Sequence, residues 1–257
     1  MTTLAYDQAG DGHPLLLVHA GIVNRHMWDP VWESLAAGYR VIRPDLRGFG
    51  ETPAAREPFT NWHDLADLLH DLDAAPAHVI GVSSGGSASL DLALAEPGLA
   101  DKLVLVAPGL AGWSWSAQLK ADWQAEEAAW KRGDLDEVAW ANVRTWVDGP
   151  LRGGEAAPGL RQAMFDMYRA ALELQAVEGA TDSEARQPAS RDHLAEVSQP
   201  TLVVVGDLDQ PDMMDVGEHL AASIPGARLT VMHGVSHLPP MEAPEAFVDL
   251  VTGFLEG

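Results

Sequence analysis

The chain has 257 residues, 47% of them hydrophobic and 21% charged, so it can build one sizeable core and does not have the composition of a disordered protein. Its formal net charge is −22, which repels a phosphate backbone and argues against nucleic acid as a partner. The absence of cysteine excludes disulfides, thiolate nucleophiles and cysteine-ligated zinc.

The first ten residues, MTTLAYDQAG, contain neither a basic segment nor a long apolar one. No run in the chain approaches the roughly 18 apolar residues that a membrane span needs. We therefore expect a cytoplasmic protein with no membrane partner. We also expect it to be a monomer or a homodimer and to bind a small-molecule substrate.

Short apolar runs bounded by turn residues recur along the chain and predict strands at 15–18, 39–42, 78–82, 102–106, 201–205 and 228–232. Because the runs are continuously apolar, we expect strands that are buried on both faces. Between several of these runs, apolar residues recur three or four positions apart, as in a helix. One such stripe is formed by Trp62, Leu65, Leu68, Leu69 and Leu72. This alternation predicts an α/β fold with a mostly parallel sheet flanked by helices.

Short apolar runs of the strand type do not recur between residues 112 and 192, where glycines and prolines separate several amphipathic helical stretches. We predict a helical cap inserted at 112–192 into an α/β core domain made of 1–111 and 193–257. Any single aromatic ring here can serve only to hold the cap on the sheet. Six of the nine tryptophans fall in the cap, however, and together they predict an apolar pocket: Trp113, Trp115, Trp123, Trp130, Trp140 and Trp146.

The strongest chemical signal is Gly81-x-Ser83-x-Gly85, which directly follows the predicted strand 78–82 and precedes an alanine- and leucine-rich helix. A sharp turn from strand to helix pushes the serine hydroxyl out at the carboxyl edge of the sheet. Glycines flank the serine because side chains there would collide with neighbouring strands. We predict that Ser83 is a nucleophile exposed on a strained turn.

Two early segments, LLVHAG at 16–21 and RPDLRGFG at 43–50, extend this pattern. With the serine motif they resemble the α/β-hydrolase superfamily, over nearly the whole chain outside the cap. The resemblance implies an oxyanion hole of two backbone N–H groups, from Ser84 and Gly21. Ala20 replaces the glycine of the commoner His-Gly pair, which leaves Ile22 as the alternative donor to Gly21.

A serine hydroxyl becomes a good nucleophile when a histidine takes its proton. The family pattern places that base on the loop after the last strand, where it matches His237 in GVSHLPP, whereas His233 ends the strand. The acid that orients the base follows the penultimate strand, and Gly-x-x-Asp spacing selects Asp209. Asp207 is the structural alternative there. The order Ser83, Asp209, His237 is the order that this fold uses.

Four polar residues near these segments are expected not to react. Asp45 and Arg47 lie in a Pro-Asp-x-x-Gly turn, which is typical hydrogen-bond scaffolding. Arg25 and His26 lie on the loop after the predicted oxyanion segment, where an arginine is usually solvated.

The sequence contains no zinc-protease, P-loop or dinucleotide-binding motif, so no metal or cofactor is implied. The resemblance implies a serine hydrolase that forms an acyl-enzyme on Ser83 with a small, apolar carboxylic ester or lactone. Ile22, Trp113, Trp130 and Leu238 are the predicted pocket residues. The resemblance also covers carbon–carbon bond hydrolases of diketones and cofactor-free haloperoxidases. A lyase, a cyclase or a small-molecule receptor on the same scaffold remains a further alternative.

Overall fold

A computed structural model describes residues 4–257. Seven strands form one sheet in the order β1-β3-β2-β4-β5-β6-β7. They are β1 (Tyr6–Ala9), β2 (His13–Val18), β3 (Tyr39–Pro44), β4 (Ala77–Val82), β5 (Ala100–Val106), β6 (Thr201–Gly206) and β7 (Arg228–Met232). Every neighbouring pair is parallel except β1 with β3. The predicted mostly parallel sheet is confirmed.

All six predicted strands are present, and the structure adds one that the sequence analysis missed. β1 has the sequence YDQA and pairs antiparallel with β3 at the edge of the sheet, so it needs no apolar run. The expectation that every strand is buried on both faces is wrong for β7. This strand lies at the opposite edge, and only Met232 in it is buried.

Helices cover both faces of the sheet, and alternate residues of each strand point to opposite layers. Leu15 and Leu17 of β2 enter the layer that contains α1 (Asp29–Ala36) and α9 (Pro244–Glu256). Leu16 and Val18 enter the layer that contains α2 (Asn61–Asp71), α3 (Ser84–Ala95) and α7 (Pro211–Ser223). The predicted stripe of α2 is confirmed, because its three central leucines are fully buried in this second layer: Leu65, Leu68 and Leu69.

The chain between β5 and β6 is helical. It contains α4 (Ala117–Lys131), α5 (Leu135–Asn142), a π-helix (Val143–Asp148) and α6 (Pro158–Gln175), followed by a 3₁₀ helix (Ser190–Glu196). Gly133, at φ +72°, joins α4 to α5, and Pro158 occupies the first position of α6, where a missing N–H costs nothing. The assignment of residues 112–192 as a separate cap remains our proposal.

The remaining short elements lie next to the loops that carry the predicted site. A 3₁₀ helix (Arg25–Trp28) precedes α1, and α8 (Pro239–Glu242) follows the predicted catalytic histidine. Within residues 4–257, every helix is too short or too polar to cross a lipid bilayer.

Candidate active site

Ser83 lies between β4 and α3 with φ +54° and ψ −116°, a backbone conformation that costs about 1–3 kcal/mol for a residue with a side chain. Hydrogen bonds hold it there: its N–H donates to the Val106 carbonyl (2.8 Å), and its own carbonyl accepts from the N–H of Ser87 (3.0 Å) and Gly109 (3.1 Å). A serine before a helix usually caps it. The Ser83 side chain makes no capping hydrogen bond to α3, so its hydroxyl is left for other chemistry.

The glycines on either side of Ser83 are required by close packing. A Cβ atom on Gly81 would lie 2.3 Å from the carbonyl oxygen of Gly85, and one on Gly85 would lie 2.4 Å from the carbonyl oxygen of His19. These distances bring α3 against β4 and against the end of β2. The spacing in the sequence motif is therefore a packing requirement of the turn.

The structure brings His237 and Asp209 together in the interior. Nδ1 of His237 lies 2.8 Å from Oδ2 of Asp209, and each side chain is 1% exposed. The other carboxylate oxygen of Asp209 accepts from the N–H of Gln210 (2.7 Å). With Nδ1–H donating to the carboxylate, Nε2 carries the lone pair that can accept a proton.

His233 and Asp207 form a second pair whose Nδ1 and Oδ2 atoms are also 2.8 Å apart. The His233 side chain is 85% exposed, and Asp207 also accepts from the N–H of Gly234 (2.7 Å). The hydrogen bond from His233 lowers the pKa of Asp207. This pair closes a surface turn.

The histidine loop is held by the π-helix of the insertion, a contact that the sequence analysis missed. The Trp146 ring lies 4.3 Å from the His237 ring, measured between centroids, at an interplanar angle of 36°. The Trp146 carbonyl accepts from the hydroxyl of Ser236 (2.9 Å) and from the N–H of His237 (3.4 Å). Nothing in the sequence distinguishes this tryptophan from the other five of the insertion.

A second missed residue is Glu242 of α8, whose side chain is 5% exposed. Its carboxylate accepts from the N–H of Ser236 (2.9 Å) and of Leu238 (3.1 Å), the residues on either side of His237. Arg152 completes an ion pair with it. Glu242 therefore fixes the backbone that carries the histidine.

Gly21 and Ser84, the predicted oxyanion donors, lie side by side. A Cβ atom on Gly21 would be 2.8 Å from Oγ of Ser84. Within residues 4–257, neither backbone N–H donates a hydrogen bond to another protein group. The Ser84 N–H also belongs to the first turn of α3, where the helix dipole favours negative charge.

His19 braces the segment that carries Gly21. Its Nδ1 donates to the Ala20 carbonyl (2.7 Å), and its Nε2 accepts from the N–H of Leu46 (2.9 Å). Complete burial lowers the pKa of His19. A neutral ring is the form that makes both hydrogen bonds, because a protonated ring has no acceptor.

The expectation that Arg25 is solvated is wrong. The residue is 7% exposed, its backbone N–H donates to Asp45 (2.8 Å), and its guanidinium pairs with Asp45, Glu51 and Asp7 (3.0 Å). Two segments, β1 and the loop after β3, supply these carboxylates, and neither is adjacent to Arg25 in the sequence, so no local pattern predicts the network. His26, by contrast, is exposed.

A cavity of about 580 Å³ borders Gly21 and Ser84 on one side and the helical insertion on the other. Of the four predicted pocket residues, Trp130 lines it. Ile22 and Leu238 are buried in the core layer instead. Trp113 lies in the other layer, where its ring contacts His219 of α7 at 5.2 Å between centroids.

The sequence matches the model of the alpha/beta hydrolase family over residues 15–250. The chain belongs to this family. It is therefore a hydrolase, and the resemblance carried by the sequence motifs is confirmed.

Two curated proteins are among the similar sequences. A pimeloyl-[acyl-carrier protein] methyl ester esterase of Neisseria meningitidis is 31% identical over 94% of this chain and 92% of its own length. A 2-hydroxy-6-oxononadienedioate/2-hydroxy-6-oxononatrienedioate hydrolase of Cupriavidus pinatubonensis is 30% identical over 86% and 78%, respectively. Among solved structures, a thermophilic esterase of Thermogutta terrifontis is 28% identical with a TM-score of 0.77, over 98% of this chain and 93% of its own.

Proposed function

We propose that this hydrolase cleaves carboxylic esters or lactones through an acyl-enzyme on Ser83, with His237 as the base and Asp209 as the acid that orients it. The observation that carries the proposal is the buried 2.8 Å hydrogen bond between His237 and Asp209. Burial strengthens this hydrogen bond, and the hydrogen bond fixes the tautomer of the ring. The similarity to a methyl ester esterase supports the same reaction.

In the first half of the reaction, Oγ of Ser83 attacks the ester carbonyl carbon while Nε2 of His237 takes its proton. The carbonyl oxygen becomes an oxyanion that accepts hydrogen bonds from the N–H groups of Gly21 and Ser84. Each such donor contributes about 3–4 kcal/mol of transition-state stabilisation. Collapse breaks the bond to the alkoxide, which leaves with the proton from His237.

In the second half, a water attacks the acyl group on Ser83 and gives its proton to His237. The tetrahedral intermediate then releases the carboxylic acid and returns the proton to Oγ. A lactone follows the same steps, except that its alcohol stays attached to the acyl chain.

Carbon–carbon bond hydrolysis of a diketone is the second candidate, since it uses the same three residues. The 30% identity to an oxononadienedioate hydrolase favours keeping it. Turnover of a vinylogous diketone without turnover of aryl esters would select this reaction, and the reverse would select ester hydrolysis.

The first experiment compares the hydrolysis of p-nitrophenyl acetate and butyrate by the wild type, Ser83→Ala and Ser87→Ala. Ser87 lies one helical turn further along α3, and its hydroxyl donates to the Gly109 carbonyl (2.7 Å), so its loss is a matched control. We expect kcat to fall by about 10⁶-fold in Ser83→Ala and to stay within a few-fold in Ser87→Ala. Full activity in Ser83→Ala would overturn the proposal.

Intact mass after fluorophosphonate treatment locates the nucleophile. We expect one adduct on the wild type and on Ser87→Ala, and none on Ser83→Ala. An adduct that persists in Ser83→Ala would assign the nucleophile to another side chain.

A further inference from the structure

The cavity that begins at Gly21 and Ser84 ends against the inner side of the insertion, far along α4 and α6. Its walls are strongly aromatic: Phe49, Phe59, Trp123, Trp130 and Tyr168 line it. Aromatic faces carry negative electrostatic potential and attract cations within about 6 Å of the ring centroid. One half-buried carboxylate, Glu126 of α4, lines the same space.

Glu126 accepts hydrogen bonds from neutral groups. The Tyr168 hydroxyl donates to its Oε1 (3.3 Å), and the Asn142 side chain forms a second hydrogen bond with it. Within residues 4–257, Glu126 forms no ion pair with lysine or arginine. Its neighbour Glu127 does, since it pairs with Lys131 at 2.6 Å. The charge of Glu126 is therefore not compensated by a protein cation.

Arg47 is the one basic side chain among the residues that line this cavity. Its guanidinium is already neutralised, because Nε and one Nη atom donate to the two carboxylate oxygens of Asp64 at 2.6 and 2.7 Å. Asp182 adds a further carboxylate to the lining. The cavity thus combines aromatic walls with an excess of negative charge.

We propose that Glu126 and the surrounding rings bind a cationic group of the substrate, a protonated amine or a quaternary ammonium. The preferred substrates are then esters or lactones that carry a positive charge, a statement that rests on the ester chemistry proposed above. A substrate with a second carboxylate, like the dioate named for the Cupriavidus relative, would be repelled from this cavity.

Burial shifts the pKa of both polar wall residues upward. Burial raises the pKa of Glu126, while hydrogen bonds from Asn142 and Tyr168 lower it, with burial the larger effect. Burial and the nearby Glu126 carboxylate also raise the pKa of Tyr168, so its hydroxyl keeps the proton that it donates. A bound cation would stabilise the Glu126 carboxylate in the place of water.

The catalytic test compares acetylcholine with 3,3-dimethylbutyl acetate, an ester of the same shape in which carbon replaces the charged nitrogen. We expect the wild type to favour the cationic ester by about 10-fold in kcat/KM, and Glu126→Gln to lose most of that preference. Asp122→Asn is the matched control. Asp122 lies on the same helix but outside this cavity, where it accepts from Gln118 at 3.0 Å.

A binding test separates this proposal from the hydrolytic one. Titration of tetraethylammonium into Ser83→Ala by calorimetry requires no turnover, and we expect the added Glu126→Gln change to weaken binding at least about 5-fold and the added Asp122→Asn change to leave it unaltered. Tetraethylammonium binding that depends on Glu126 supports the subsite even if no ester is hydrolysed. Ser83-dependent hydrolysis without charge preference, or binding insensitive to Glu126→Gln, overturns the subsite and leaves the esterase proposal intact.

Discussion

The chain contains two histidine–aspartate pairs in neighbouring turns, with the same 2.8 Å separation between Nδ1 and Oδ2. The two pairs differ in solvent exposure, since His237 and Asp209 are each 1% exposed and His233 is 85% exposed. A hydrogen bond to a carboxylate is stronger where the local dielectric is low, and an exposed one competes with water. At the scale of single residues, burial is therefore the physical difference between a candidate catalytic pair and a turn.

Substituting the two pairs in parallel tests this difference. We expect His237→Ala and Asp209→Asn to lower kcat for p-nitrophenyl butyrate by about 10⁴-fold or more, because the base is lost or held in the wrong tautomer. His233→Ala and Asp207→Asn should change it less than about 2-fold. Equal losses from the buried and the exposed pair would refute the roles we assign.

At the scale of elements, the π-helix Val143–Asp148 is the part of the insertion that contacts both loops of the proposed triad. Gln210, next to Asp209, donates from Nε2 to the Thr145 carbonyl (2.8 Å). Trp146 packs on His237 from the same π-helix. Distortions of this kind are frequent at functional sites, because an extra residue per turn redirects side chains. The insertion thus holds the loops of the proposed triad as well as bordering the cavity.

Gly149 ends the π-helix and offers a test of this support. It has φ +68°, and a Cβ atom there would lie 2.3 Å from the Leu208 carbonyl oxygen and 2.7 Å from Oγ of Ser236. We expect Gly149→Ala to lower the free energy of unfolding by about 2–4 kcal/mol and to reduce kcat, because the added methyl group pushes on both loops of the proposed triad. Urea denaturation and ester kinetics measure the two effects.

Gly153 is the matched control, with φ +72° and nothing within 4 Å of an added Cβ. Gly153→Ala introduces the same backbone strain of about 1 kcal/mol without a collision of the added methyl group, so activity should be retained. If both variants lose activity alike, backbone strain and not contact with the loops is responsible.

At the scale of the whole molecule, the two ends of the sheet differ in character. The carboxyl ends of the strands carry the candidate active site, and the opposite ends carry a cluster of His13, His78 and Asp101. The two rings lie 4.2 Å apart, and His78 is 6% exposed. Burial, with the charge of His13, lowers the pKa of His78 to about 4.

This depressed pKa makes the stability of the molecule sensitive to mild acid. His78 binds a proton near pH 6.5 in the unfolded chain and only near pH 4 in the folded one. Its contribution to the stability of the folded state is therefore fully present above about pH 6.5 and is lost as the pH falls toward 4. We expect the free energy of unfolding to drop by about 2 kcal/mol between pH 7.5 and pH 5 from this residue. Urea denaturation at the two pH values measures the drop.

His78→Gln should remove that part of the pH dependence, whereas His26→Gln, at an exposed histidine, should keep it. An identical loss of stability with pH in wild type and His78→Gln would show that this histidine does not carry the effect.

Much of the fold could be predicted because its signals are local. The apolar runs of β2 to β7 and the stripe of α2 follow from periodicity within single elements. Gly81 is required by packing within one strand–turn–helix unit, whereas Gly85 is required by its contact with the end of β2. Ser83 directly follows β4, and the family pattern predicted Asp209 and His237 on the loops after β6 and β7. Their catalytic roles remain predictions that the substitutions above test.

Features built from distant segments were decided only by the tertiary structure. Polar β1 forms because β3 offers its edge, and Arg25 is buried because Asp7, Asp45 and Glu51 converge on it. The sequence placed large apolar residues in the insertion, but only the folded chain directs Trp130 and Glu126 into one cavity and Trp113 away from it. Local patterns report which face of an element is apolar; which partner that face meets depends on contacts between residues far apart in the chain.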